Sequence, residues 1–100
     1  MTLARSWKQY ESLLMHMAGS MGLMIVSIPA KGKRPATWHV AQRQDGIVRR
    51  LRVSYDSPKD LLDEFLGRYQ AFNLYGRVTN NPFYGMSPEE VELRLAVLGM

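Results

Sequence analysis

The chain has 100 residues, of which 46% are hydrophobic and 22% are charged, a composition typical of a folded domain rather than a disordered segment. This length suits one hydrophobic core, so we expect a single small domain over residues 1–100. The absence of cysteine excludes disulfides, thiolate metal sites and cysteine nucleophiles. The two histidines, His16 and His39, have no metal-ligand spacing.

The first predicted element is a helix, followed by a short strand. Apolar residues recur at spacings of three and four along one helical face: Leu3, Trp7, Tyr10, Leu14, Met17 and Met21. Gly19 and Gly22 predict the end of this helix. The apolar run over residues 23–28 stops at Pro29 and predicts a buried strand.

A hairpin is predicted over residues 37–55. The pair Asp45-Gly46 favours a two-residue type I′ turn between Thr37–Gln44 and residues 47–55. Continued outward from this turn, the register places Trp38 opposite Val53 on the side that faces the core. The opposite side is expected to face solvent and carries His39, Ala41, Arg43, Val48, Arg50 and Arg52.

Basic side chains are concentrated in residues 31–52, which hold seven of the 13 lysines and arginines and one of the nine acidic residues. Such a segment indicates an anionic partner, which could be RNA, a membrane surface or an acidic protein. A solvated hairpin surface without a partner explains the same charges, and both interpretations stay open. The predicted anionic-partner face consists of Lys31, Lys33, Arg34, Arg43, Arg50 and Arg52.

Two helix starts of the same design follow, Ser57-Pro58 and Ser87-Pro88, each with an acidic residue in the first turn. The first helix has a predicted buried stripe of Leu61, Leu62, Phe65, Leu66, Tyr69 and Phe72, with Gly76 as its end or kink. The second has Val91, Leu95 and Leu98. We therefore predict an α+β fold with a helix, a three-stranded antiparallel sheet, and two helices packed on one sheet face.

Two aromatic residues, Phe83 and Tyr84, directly follow Asn81-Pro82, where a loop is normally polar. Either they fill the gap between the last two helices, or they present an interaction surface. In the second case we expect a protein interface made by Phe83, Tyr84, Tyr69 and Phe72.

No catalytic, cofactor-binding or metal-binding residues are predicted. The carboxylates cluster in the first turns of the two helices, where the helix dipole attracts them. No phosphate-binding glycine loop or dinucleotide fingerprint is present. His39 is expected at the surface, with a phosphate contact as the alternative. We therefore expect a protein without a cofactor or small-molecule substrate, and not an enzyme.

The C-terminal part of the chain resembles a known family. The hairpin, the amphipathic helix, Asn81-Pro82-Phe83-Tyr84 and a final helix with Glu92-Leu93 resemble the small core subunits of the TRAPP vesicle-tethering complex, in the sybindin branch. The resemblance covers residues 37–98, and the family's initial hairpin has no counterpart before the first helix. It implies a longin-like fold and a scaffold role in vesicle-mediated transport. The implied partners are other subunits of a hetero-oligomeric complex, and the implied location is cytoplasmic, peripheral at ER or Golgi membranes.

A second resemblance supports the alternative function. A helix, three strands and a helix with a basic sheet are similar to the Alu-domain small subunits of the signal recognition particle. This implies a small basic RNA-binding subunit of a ribonucleoprotein, of that type or ribosomal. Arg5 and Lys8 on the first helix suggest a mitochondrial address as the alternative location. Residues 12–30 are nearly uncharged, but their serines, glycines and Pro29 favour a helix and a strand over a membrane span.

Overall fold

A computed structural model describes residues 6–50, 53–74 and 77–99. Its described part has the predicted α+β class, with a three-stranded antiparallel sheet in the order β1-β2-β3 and a separate two-stranded hairpin. The elements are α1 (Trp7–Ser20), β1 (Met24–Ile28), β2 (Thr37–Gln44), β3 (Ile47–Arg50), α2 (Pro58–Gly67), β4 (Ala71–Leu74), β5 (Arg77–Asn80) and α3 (Pro88–Val97).

Helix α1 begins at a capping box, in which the Gln9 N–H donates to Ser6 Oγ and the Ser6 N–H donates to Gln9 Oε1. Its buried side chains are Leu13, Leu14, Met17 and Ala18. Trp7, which the sequence places on the buried stripe, is instead 56% exposed. Its ring packs edge-on against the ring of the buried Trp38, with the two centroids 5.2 Å apart, so Trp7 lies at the edge of the core. The predicted stripe member Leu3 lies outside the described residues.

The turn of the first hairpin is the predicted one. Asp45 and Gly46 both have positive φ angles, 53° and 78°, as a type I′ turn requires. The pairings Gln44 with Ile47 and Ala41 with Arg50 follow the predicted register. The turn therefore sets the alignment of β2 and β3 over the whole described ladder.

Farther from the turn, the predicted pairing of Trp38 with Val53 is wrong. Trp38 exchanges two backbone hydrogen bonds with Tyr55, of 2.9 and 3.0 Å. From the pair of Ala41 and Arg50 to this pair, the second strand uses two more residues than β2. Residues 51 and 52 lie outside the described residues, and with them the predicted partner of Val40. At Trp38 the register is therefore shifted by two residues relative to the register at Ala41.

The helix predicted to continue to Phe72 ends at Gly67, and the hairpin of β4 and β5 takes its place. The β-branched residues Val78 and Thr79 favour a strand at this position. Phe72 still reaches the core, because its ring lies 4.7 Å from that of Phe65. Its helical spacing from Phe65 is therefore coincidental, and the predicted helix end at Gly76 lies outside the described residues.

Helix α1 is the central packing element. It contacts β1, α2 and α3, while α2 also contacts β2. Helix α3 therefore packs mainly on α1. Of the two helices predicted to pack on one sheet face, α2 contacts the sheet directly, through β2, and α3 packs on α1. The core includes Leu14, Met17, Trp38, Val40, Leu61, Leu62, Phe65, Phe72, Phe83, Val91 and Leu95.

Candidate interaction surfaces

The segment 81–85 closes the C-terminal end of α2. Asn81 Nδ2 donates to the carbonyl oxygens of Phe65 (2.7 Å) and Tyr69 (2.8 Å). Asn81 Oδ1 accepts from the Phe83 N–H at 3.0 Å. The last carbonyl groups of a helix have no hydrogen-bond partners within the helix. The bonds from Asn81 therefore give the carbonyls at this end of α2 a partner where burial restricts access to water. Asn81 therefore acts as a side-chain cap.

The same segment adds a backbone bond, in which the Gly85 N–H donates to the Leu66 carbonyl at 2.7 Å. Gly85 has a φ of 82°, a conformation that glycine adopts without strain. The motif that carries the resemblance to the tethering family thus makes contacts within this chain.

The residues predicted to form a protein interface are in different environments. Phe83 is fully buried and Phe72 nearly so, and this burial corrects the prediction that they form a surface. For Phe83 the structure agrees with the alternative, filling of the core. Tyr69 is half-buried, with its hydroxyl 2.9 Å from that of Tyr55. Of these four residues, only Tyr84 is exposed, at 41%, and could contact a partner.

The predicted anionic-partner face divides into separate groups. Lys31, Lys33 and Arg34 lie in a tight turn between β1 and β2, closed by two hydrogen bonds of 3.0 Å between the backbones of Lys31 and Arg34. All three are exposed. We call these three residues the basic turn.

The other basic residues of that face lie elsewhere on the sheet. Arg43 and Arg50 are exposed near the turn that joins β2 and β3. Arg43 is six residues along β2 from Thr37, the strand end next to the basic turn, and this corresponds to roughly 20 Å. Arg52 lies outside the described residues. One small anionic group could therefore not contact both the basic turn and Arg43.

His39, expected at the surface, is buried in the central strand. Its Nε2 lies 2.9 Å from Thr37 Oγ1, and its backbone pairs with Val26 of β1. Burial lowers the pKa of His39, and the positive charge of Arg50 lowers it further. A neutral buried ring is a poor phosphate ligand, so this position favours a structural role.

Helix α3 has apolar residues on two sides. Val91 and Leu95 are buried, as predicted. Leu93 and Val97 point away from them and are 69% and 84% exposed. Leu98, predicted in the buried stripe, is also exposed. Sequence periodicity identified only the buried stripe, although the spacing of four between Leu93 and Val97 was visible.

The exposed side of α3 forms a shallow groove of about 280 Å³. We call it the outer α3 face, and it consists of Met86, Glu90, Leu93, Arg94 and Val97. Glu90 also completes the helix cap, since the Ser87 N–H donates to its Oε1 at 3.4 Å. The face thus combines apolar side chains with one charge of each sign.

A second groove of about 480 Å³ runs along α1 and is lined by Lys8, Glu11, Ser12, Met15 and His16. Glu11 has a structural role there, because it accepts from Trp38 Nε1–H at 2.8 Å. His16 Nδ1 lies 2.8 Å from the Ser12 carbonyl. Within the part of the chain that the structure describes, no three His, Asp or Glu side chains are grouped to hold a metal ion.

Comparison with known proteins gives no match to a family model, a curated protein or a solved structure. Among residues 6–50, 53–74 and 77–99, no helix is long and apolar enough to cross a membrane.

Proposed function

We propose that this protein is a non-enzymatic adaptor subunit that binds another protein chain through the outer α3 face. The observation that carries the proposal is the exposure of Leu93 and Val97 on a helix whose other side is already buried. A helix at a protein surface is normally polar on its outer side. Apolar residues on both sides of α3 are expected if one side packs on this chain and the other packs on a partner.

The composition of the outer α3 face also suits a protein partner. Glu90 and Arg94 flank Leu93, which resembles the arrangement of an apolar centre and a polar rim in protein interfaces. Tyr84 is exposed two residues before Met86 and could extend the contact, since tyrosine is enriched at interfaces.

A more specific form of the proposal is a small subunit of a TRAPP-like vesicle tether, cytoplasmic and peripheral at ER or Golgi membranes. Its support is the sequence resemblance over residues 37–98. This form predicts that the co-purifying proteins are other subunits of such a complex.

Affinity purification of the tagged chain, with and without nuclease, tests the proposal. We expect proteins that remain bound after nuclease treatment, and we expect Leu93→Asp to lose them. Val78→Asp is the matched control, because Val78 on β5 has the same 69% exposure as Leu93. Circular dichroism checks that both variants fold. Equal binding by the two variants, or loss of all partners on nuclease treatment, would contradict the proposal.

The second candidate function is RNA binding by a small basic subunit of a ribonucleoprotein, and the basic turn favours it. Lys31, Lys33 and Arg34 place three exposed cations on one tight turn that two backbone hydrogen bonds close. In this case Lys33→Glu with Arg34→Glu should weaken RNA binding and reduce its salt dependence by about one unit of slope per lost phosphate contact. Unchanged binding and slope would exclude the basic turn as the RNA contact.

A further inference from the structure

We infer that the outer α3 face binds a second copy of this chain, with the two α3 helices antiparallel. The inference rests on the proposed function, because it names the partner of the same surface. A contact between identical patches related by a two-fold axis requires that the patch be complementary to itself. The charges and the apolar residues of the outer α3 face both meet this requirement.

The charges are complementary in the antiparallel orientation. Glu90 precedes Arg94 by one helical turn, so two antiparallel helices that cross near Glu92 place each Glu90 beside Arg94 of the other copy. Arg94 makes no ion pair within the described residues, and Glu90 uses only Oε1 for the helix cap. The face carries one charge of each sign, which favours neither a strongly acidic nor a strongly basic partner.

The apolar residues fit the same crossing. Residues at equal distances from the crossing point lie opposite each other, so Val97, five positions after it, lies at the level of Ser87 of the other copy, next to Met86. Leu93, one position after the crossing point, lies about 3 Å along the helix axis from its own counterpart. The two pairs of opposite charges and the apolar residues of the groove are therefore compatible with a single arrangement.

The size of the face indicates a weak dimer. Helix α3 has 10 residues and is about 15 Å long. Such a helix presents much less surface than the ~800 Å² per partner of a typical stable interface. We therefore expect association that depends on concentration, with a dissociation constant in the micromolar range or weaker.

A charge-reversal pair tests the arrangement by sedimentation velocity over a concentration series. Glu90→Arg gives a chain with two positive residues on the face, and Arg94→Glu gives one with two negative residues. Each variant alone should be monomeric at concentrations where the wild-type chain dimerises, because like charges meet across the two-fold axis. An equimolar mixture should dimerise again, since opposite charges then meet at both places.

Recovery in the mixture cannot come from an ion pair within one chain, because each variant carries like charges at positions 90 and 94. If Glu90→Arg loses the helix cap, Glu90→Gln keeps a capping side chain and should weaken the dimer by about tenfold. Leu93→Asp should be monomeric and Val78→Asp should dimerise like the wild-type chain.

A wild-type chain that stays monomeric up to about 1 mM, or a mixture without recovery, would overturn the inference. If Leu93→Asp nevertheless loses nuclease-resistant partners, the adaptor proposal stands with a different partner. If Leu93→Asp changes neither self-association nor partner binding, both the inference and the adaptor proposal fail.

Discussion

Replacing Asn81 by alanine removes three hydrogen bonds at the end of α2, and we expect it to lower the free energy of unfolding by about 3 kcal/mol. The value assigns about 1 kcal/mol to each bond, because Asn81 is 7% exposed and water cannot readily replace its side chain. For a domain of 100 residues this lowers the melting temperature by about 15 °C. Urea denaturation followed by circular dichroism measures the free energy, and a thermal scan measures the midpoint.

Asn80 provides the matched control, because it is the preceding residue, has the same side chain and is exposed. Asn80→Ala should change the free energy of unfolding by about 0.5 kcal/mol or less. If Asn81→Ala comes within 1 kcal/mol of this control, the capping role of Asn81 is refuted.

Asn81→Asp tests the direction of the bonds. It keeps the size of the side chain but sets a carboxylate oxygen against the carbonyls of Phe65 and Tyr69. Burial and these carbonyls should raise the pKa of the new carboxyl in the folded state. The destabilisation relative to wild type should therefore be full at neutral pH and decrease as the pH falls through that raised pKa. A pH-independent difference would contradict the assigned donors.

Gly46→Ala should cost about 1 kcal/mol in urea denaturation because of the positive φ of 78°, whereas Gly19→Ala, in α1 with no atom near the added methyl group, should stabilise by about 0.5–1 kcal/mol. The pKa of His39 is lowered in the folded protein, so the unfolded chain binds the proton of this histidine more readily. The free energy of unfolding should therefore fall as the pH drops below about 6.5, the pKa of an unperturbed histidine. His39→Gln should remove this contribution to the pH dependence of stability. Glu11→Ala should cost about 1 kcal/mol through the lost acceptor for Trp38 Nε1–H, and Glu11→Gln should restore most of it, as measured by the same denaturation.

The features that could be predicted from the sequence are those that neighbouring residues decide. Asp45-Gly46 specifies its turn because both positions need positive φ angles, which this pair tolerates. Ser57 and Ser87 cap their helices because each bond joins residues three positions apart. These interactions depend little on how the rest of the chain packs.

The features that could not be predicted depend on distant parts of the chain. Phe72 has helical spacing from Phe65, yet it reaches the same core from a strand, since only the position of its ring in the packed structure matters. His39 alternates with Trp38 and Val40 along β2, but residues 38–41 of this central strand are all buried, so alternation does not identify an exposed side there.

The outer α3 face could not be predicted for the same reason. Periodicity shows that a helix has apolar positions, but the packing of α3 on α1 decides which of them are covered. Val91 and Leu95 are covered, and Leu93 and Val97 are not.

The closure of α2 by Asn81 also has a consequence for the order of folding. The residues that it joins are only 12 and 16 positions apart, whereas the bond from Trp38 to Glu11 spans 27 positions. Closing a shorter loop costs less chain entropy, and local contacts form faster. We therefore expect α2 and the 81–85 segment to form early in folding, with α1 packing on them afterwards.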